Sequence, residues 1–153
     1  MATRRTFIKN TLFTATGLTI LPSYVISGVK RSEVFKAPSD KLNIAGIGIG
    51  GKGHPNLVGM NTENIIGLCD VDWKYAANCF KEFPRAKRYK DWRRMFDEIG
   101  KDIDGIMIST PDHTHAIIAA TALTMDKHIY CQKPLTHSIY ESRLLTKLAK
   151  KHK

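Results

Sequence analysis

Leu42-Asn-Ile-Ala-Gly-Ile47 runs without a break into Gly48-Ile-Gly-Gly-Lys-Gly53, and this stretch decides the fold. A short apolar run bounded by glycines is the pattern of a buried parallel strand. The residues after it satisfy G-x-G-x-x-G. A second register, Gly46-x-Gly48-x-x-Gly51, also matches, but the later one leaves a full strand before the first glycine and is preferred. Pro55 then sits where a helix begins, because its fixed φ and missing N–H are tolerated in a first turn. The glycines differ in what they make possible. The first makes the tight turn, the second lets backbone approach a pyrophosphate, and the third lets helix and strand pack closely. Backbone N–H groups at the helix start, with the positive end of its dipole, favour phosphate there. Gly48, Ile49, Gly50, Gly51, Lys52 and Gly53 are therefore the candidate phosphate-binding residues.

A glycine fingerprint alone is common, and the sequence downstream gives it weight. A second strand, Asn64-Ile-Ile-Gly-Leu-Cys-Asp70, ends in an acid 22 residues after Gly48. That spacing suits a carboxylate accepting hydrogen bonds from an adenosine ribose. Asp70 is the first choice for this role and Asp72 the second. An acid here repels a 2′-phosphate, which favours NAD over NADP, while the nearby Lys74 tempers the preference.

The remaining chain alternates in the same way. Residues 73–83 read as a helix ending before Pro84, residues 87–89 as a short strand, and Asp91 as the N-cap of a helix over 92–99. Ile103–Ser109 is the next strand, followed by Thr110-Pro-Asp-His-Thr-His115 and an apolar helix to about Met125. His128–Cys131 is a further strand. Ser138-Ile-Tyr-Glu141 fits a capping box that opens a last helix, to about Lys151. Repeated βα units imply an α/β fold: a doubly wound, mostly parallel Rossmann sheet of about five strands with helices on both faces.

The formal charge of +10 on 153 residues first suggests nucleic acid. The excess, however, sits at the ends: residues 1–40 and 141–153 each carry +4, and the hundred residues between carry +2. A binding face needs its charge clustered on the fold. The internal basic cluster, Lys81-Glu-Phe-Pro-Arg-Ala-Lys-Arg88, reads as a solvated loop, so nucleic acid is not expected as a partner. Cys69, Cys79 and Cys131 are too few and scattered for a disulfide scaffold or a zinc site. His113 and His115 form an H-x-H, but zinc needs three or four ligands and no other donor is placed to complete a set, so no metal is expected.

Residues 1–28 read as an address. Thr3-Arg-Arg-Thr-Phe-Ile-Lys9 precedes a modestly apolar stretch, Leu12 to Leu21, which is too short to span a bilayer. The paired arginines resemble the twin-arginine signal, which implies the twin-arginine export machinery as a partner and a periplasmic or otherwise exported protein. Residues 29–40 read as a linker and 41–153 as the Rossmann domain. Because twin-arginine transport moves folded proteins and free NAD is scarce outside the cytoplasm, the cofactor is expected to be bound before export and held tightly.

Together, Gly48–Gly53, Thr110-Pro-Asp-His-Thr-His115 and Asp126-Lys-His-Ile-Tyr-Cys-Gln-Lys-Pro-Leu135 resemble the N-terminal domain of the Gfo/Idh/MocA oxidoreductases. The resemblance covers residues 42–153 and implies several things. The cofactor is NAD, with NADP as the alternative. Lys133 matches the lysine beside nicotinamide and substrate, where it polarises a sugar hydroxyl or ketone or relays a proton. Thr110, Pro111 and His115 match the turn lining the cofactor cleft, and Pro134 shapes the loop around Lys133, commonly through a cis peptide. Gln132 departs from the family's usual glutamate and lacks its charge. The family's second domain, which carries most of the substrate pocket and oligomer interface, lies beyond the sixth strand and is absent from this sequence. The leading expectation is thus the nucleotide-binding part of a longer enzyme, a homo-oligomer when complete, transferring hydride between nicotinamide and a sugar or polyol. An exported NAD-dependent glycosidase and a non-catalytic nucleotide-binding module are the alternatives.

Overall fold

The computed structural model describes residues 41–152; the signal peptide and linker expected over 1–40 lie outside the described residues. Five parallel strands form one sheet: β1 (Asn43–Ile47), β2 (Asn64–Cys69), β3 (Lys87–Tyr89), β4 (Gly105–Ile108) and β5 (His128–Cys131), in the order β3-β2-β1-β4-β5. Five α-helices connect or follow them: α1 (Gly53–Val58), α2 (Ala77–Glu82), α3 (Trp92–Ile99), α4 (His115–Thr124) and α5 (Ile139–Lys151). The doubly wound reading of the sequence holds.

Successive side chains of a strand point to opposite faces, and the two cores separate on this alternation. Ala45 and Ile47 of β1, with Ile106 and Ile108 of β4, pack with Met95, Phe96 and Ile99 of α3 and Ile118, Ala119 and Ala122 of α4. Ile44 of β1, Leu68 of β2 and Met107 of β4 turn the other way, onto Leu57 of α1 and Cys79 and Phe80 of α2. The first two crossovers therefore cover one face and the next two cover the other. The reversal falls between β1 and β4, and at such a switch point the loops leaving the two strands diverge and open a crevice.

Two element starts differ from the sequence reading by two residues or more; the other boundaries agree to within about one residue. The helix expected from Trp73 becomes regular only at Ala77; residues 73–76 form turns, capped by the Asp72 carboxylate, which accepts the N–H groups of Lys74 (3.0 Å) and Tyr75 (3.0 Å). The strand expected from Ile103 begins at Gly105. Asp104 is used at the sheet entrance instead, where its carboxylate accepts the Asn43 N–H at 2.8 Å.

The caps match the sequence. The Asp91 side chain accepts the Arg93 N–H at the start of α3. Ser138 accepts from the Glu141 N–H while the Glu141 carboxylate accepts from the Ser138 N–H, the reciprocal pair that opens α5. Since α5 packs on α4 at the sheet edge, losing this cap is felt globally. Ser138→Ala is expected to lower unfolding stability by about 1 kcal/mol in urea titration, and Ser138→Asp by much less.

Candidate nucleotide-binding site

The carboxyl ends of β1, β2 and β4 open into a cleft of ≈670 Å³, lined among others by Gly48, Gly50, Asp70, Thr110 and Trp92. The fingerprint turn forms its floor. Gly48 lies at φ +74°, and a Cβ there would come within 2.6 Å of the Thr110 nitrogen and 2.7 Å of the Ser109 carbonyl carbon. Its own N–H donates to the Cys69 carbonyl at 2.9 Å. Gly53 opens α1 against the same turn: a Cβ there would stand 1.8 Å from the Gly48 carbonyl oxygen. Backbone obstructs both positions, so the fold itself demands glycine at 48 and 53.

Gly50 differs. Its φ is not in the left-handed region, and the nearest atoms a Cβ would meet all belong to the Tyr75 ring, which is 67% exposed. An exposed ring can move, so nothing in the folded chain fixes the absence of a side chain at 50. The bare backbone at Gly50 is a cradle facing the cleft, covered by the movable Tyr75 ring.

Asp70 braces this turn. One carboxylate oxygen accepts the Gly50 N–H at 2.9 Å and the other accepts the Asp72 N–H at 2.9 Å. Each oxygen keeps a second lone-pair site, so the carboxylate still has acceptor capacity toward the cleft. Asp72 lies at the rim, with its carboxylate committed to the turn that places Tyr75 over the glycines. Sequence reasoning did not single out Tyr75 or Trp92. The signals were present: an aspartate two residues past a strand end forms a turn that carries Tyr75, and the Asp91 N-cap puts Trp92 at the mouth of β3. Arg93 stacks on Trp92, with its guanidinium carbon 4.4 Å from the ring centroid.

Of the other expected residues, Thr110 and Pro111 line the far side of the cleft, while His115, Lys133 and Pro134 are not part of its lining. Lys133 is exposed in the loop after β5, its N–H donating to the Gln132 side-chain oxygen at 2.8 Å, and the Lys133–Pro134 peptide is cis. The Gln132 N–H in turn donates to the Ile108 carbonyl at 2.9 Å, tying the loop to the end of β4. His115 is placed otherwise than the sequence suggested. Its side chain is 1% exposed, and both ring nitrogens lie against backbone carbonyls, of Pro134 at 2.8 Å and Thr110 at 2.7 Å. It joins the turn to the Lys133 loop and has no ring nitrogen left for a ligand.

Farther along the same two segments, Asp112 meets His137 at 3.3 Å. The hydrogen bond from His137 is the main cause holding the Asp112 carboxyl below the ordinary carboxylate range. Burial pushes the thiols of Cys69 and Cys79 up to about 12 and that of Cys131 to about 11. All three stay protonated at neutral pH and are poor nucleophiles.

Residues 41–153 match the family model described as an oxidoreductase family with an NAD-binding Rossmann fold. The chain belongs to the Gfo/Idh/MocA family. Among curated Gfo/Idh/MocA-like relatives, levoglucosan dehydrogenase of Pseudarthrobacter phenanthrenivorans is 35% identical over 78 residues, covering 51% of this chain and 20% of that protein. Inositol 2-dehydrogenase of Salmonella typhimurium is 28% identical over 98 residues, covering 62% of this chain and 29% of that protein. In fold, the chain is similar to the crystal structure of myo-inositol 2-dehydrogenase from Lactobacillus plantarum, with TM-score 0.66 and 23% identity over 73% of this chain and 34% of that one. The chain thus spans about a third or less of the length of these relatives.

The two kinds of glycine in this Gfo/Idh/MocA turn separate by stability. Gly53→Ala is expected to cost about 3 kcal/mol or more, since backbone must shift, whereas Gly50→Ala costs under about 1 kcal/mol because Tyr75 turns aside. Thermal unfolding of the two variants checks this ordering.

Proposed function

We propose that this chain is the nucleotide-holding part of an NAD-dependent dehydrogenase acting on a sugar or polyol. The observation that carries the proposal is the cradle at Gly50: glycine stands where folding does not require it, beside a carboxylate at the end of β2 and at the switch point of a parallel sheet. These residues fit a dinucleotide. Gly48 to Gly53 would hold the pyrophosphate, with Tyr75 swung off the turn, and Asp70 would accept from the adenosine ribose, which favours NAD over a 2′-phosphorylated cofactor. Thr110 and Pro111 would form the opposing wall. The bound nicotinamide supplies a hydride acceptor or donor.

Lys133, on the loop tethered to the end of β4, takes the part of the group that polarises the substrate oxygen and holds or passes its proton. Pro134 shapes that loop. A protonated lysine stabilises negative charge developing on an alcohol oxygen as its hydrogen leaves, and in the reverse direction it polarises a carbonyl. A sugar or polyol substrate accords with relatives named for levoglucosan and inositol. Oligomerisation and the substrate pocket are proposed for the whole protein by the same likeness.

The binding reading is tested by titrating the chain with NADH and NADPH and following tryptophan fluorescence, since Trp92 lines the cleft. NADH is expected to bind more tightly than NADPH. Gly50→Ala should weaken NADH by about tenfold or more without loss of fold, and Asp70→Asn should narrow the preference for NADH. Absence of NADH binding by the folded chain would overturn the proposal.

We also propose export through the twin-arginine pathway, supported by Arg4-Arg5 ahead of Phe7 and a weakly apolar stretch. Arg4→Lys/Arg5→Lys is expected to leave the protein in the cytoplasmic fraction. Unchanged fractionation would contradict that assignment.

A further inference from the structure

His115 is the one buried polar side chain in the described core, 1% exposed, and neither of its ring nitrogens faces water or another side chain. Nδ1 meets the Pro134 carbonyl at 2.8 Å and Nε2 meets the Thr110 carbonyl at 2.7 Å. Backbone carbonyls accept hydrogen bonds and cannot donate them, so each contact is a bond only if the ring nitrogen carries a hydrogen. Neutral imidazole carries one such hydrogen; the cation carries two. In a neutral ring, one nitrogen lone pair would lie under 3 Å from a carbonyl oxygen, in a place where water cannot intervene. Burying the cation is costly, and two short charge-assisted bonds to carbonyl dipoles offset that cost.

The two carbonyls belong to different segments. Thr110 ends the β4 strand region and lines the cleft. Pro134 directly follows Lys133 in a loop that is also held by the Gln132 N–H on the Ile108 carbonyl and, three residues on, by His137 against Asp112. The titratable side chains on these segments are Asp112 and His113 on the turn, Cys131 at the end of β5, and Lys133 and His137 on the loop. Asp112 does not serve His115: its carboxylate is 3.3 Å from His137 and 3.8 Å from His113.

We propose that His115 is a positioning residue, a buried imidazolium that donates at both nitrogens and so fixes the Lys133 loop against the Thr110 turn. The clasp stands on its own geometry; its consequence for catalysis rests on the role proposed above for Lys133. The ring would hold Lys133 at a set distance from the cleft without touching the cofactor.

The test uses the 153-residue chain with 15N-labelled histidine, studied at pH 7 by long-range 1H–15N correlation. Both ring nitrogens of His115 should show the signature of protonated nitrogen, with ring hydrogens that exchange slowly with solvent. His115→Gln, which donates from a single nitrogen, assigns the signal and should speed amide exchange at Lys133 about tenfold or more while the Gly48–Gly53 amides are unchanged. One unprotonated ring nitrogen in the native chain would overturn the clasp, as would unchanged Lys133 exchange in a folded His115→Gln chain. If that variant does not fold, the native spectrum alone decides. An NADH titration of the same native sample fails or succeeds independently, and reports on the binding proposal alone.

Discussion

Everything at the functional end of this domain depends on how closely three pieces of backbone meet at the switch point. The Gly48 turn lies against Ser109 and Thr110, and Gly53 lies against the Gly48 carbonyl. With no Cβ at either position, β1 can end, reverse and enter α1 inside the space left between β1 and β4. A side chain at either site would push α1 off the sheet or force the two strand ends apart. The buried apolar cluster that includes Leu57, Ile44, Leu68 and Met107 then holds α1 where the turn delivers it. Local conformation and distant burial point to the same arrangement, which is the consistency expected of a sequence that specifies one fold.

The polar contacts build on that closure and serve two rims of the cleft. On one rim, Asp70 ties the Gly50 N–H to the turn after β2, and Asp72 carries the order onward to Tyr75. On the other rim, His115 and Asp112 reach from the turn after β4 to the loop after β5. Parallel strands put both sets of loops at the same end of the sheet. A residue from β2 and one from beyond β5 can therefore serve one ligand although they lie far apart in sequence.

Much of this was legible in the sequence because it is carried by local rules. Apolar runs, glycine spacing and the caps at Asp91 and Ser138 depend on residues within a few positions of one another. The helix onset at Ala77 was missed because residues 73–76 form turns, with the Asp72 carboxylate accepting the N–H groups of residues 74 and 75, before helical bonding becomes regular, and periodicity does not register that first turn. His115 shows a deeper limit. The turn it belongs to was recognised, yet the direction of its ring depends on where the chain returns 19 residues later, at Pro134. A motif names the residue types; long-range packing decides which of them face the ligand and which hold the frame.

Backbone mapping addresses the central claim, that the bare glycine turn and Asp70 form one wall of a dinucleotide site and Thr110 the other. In a 15N-labelled chain titrated with NADH, the account predicts that the largest amide shifts fall at Gly48 to Gly53, at Asp70 and at Thr110, with α5 unaffected. Saturable binding whose shifts leave the glycine turn unmoved would contradict it.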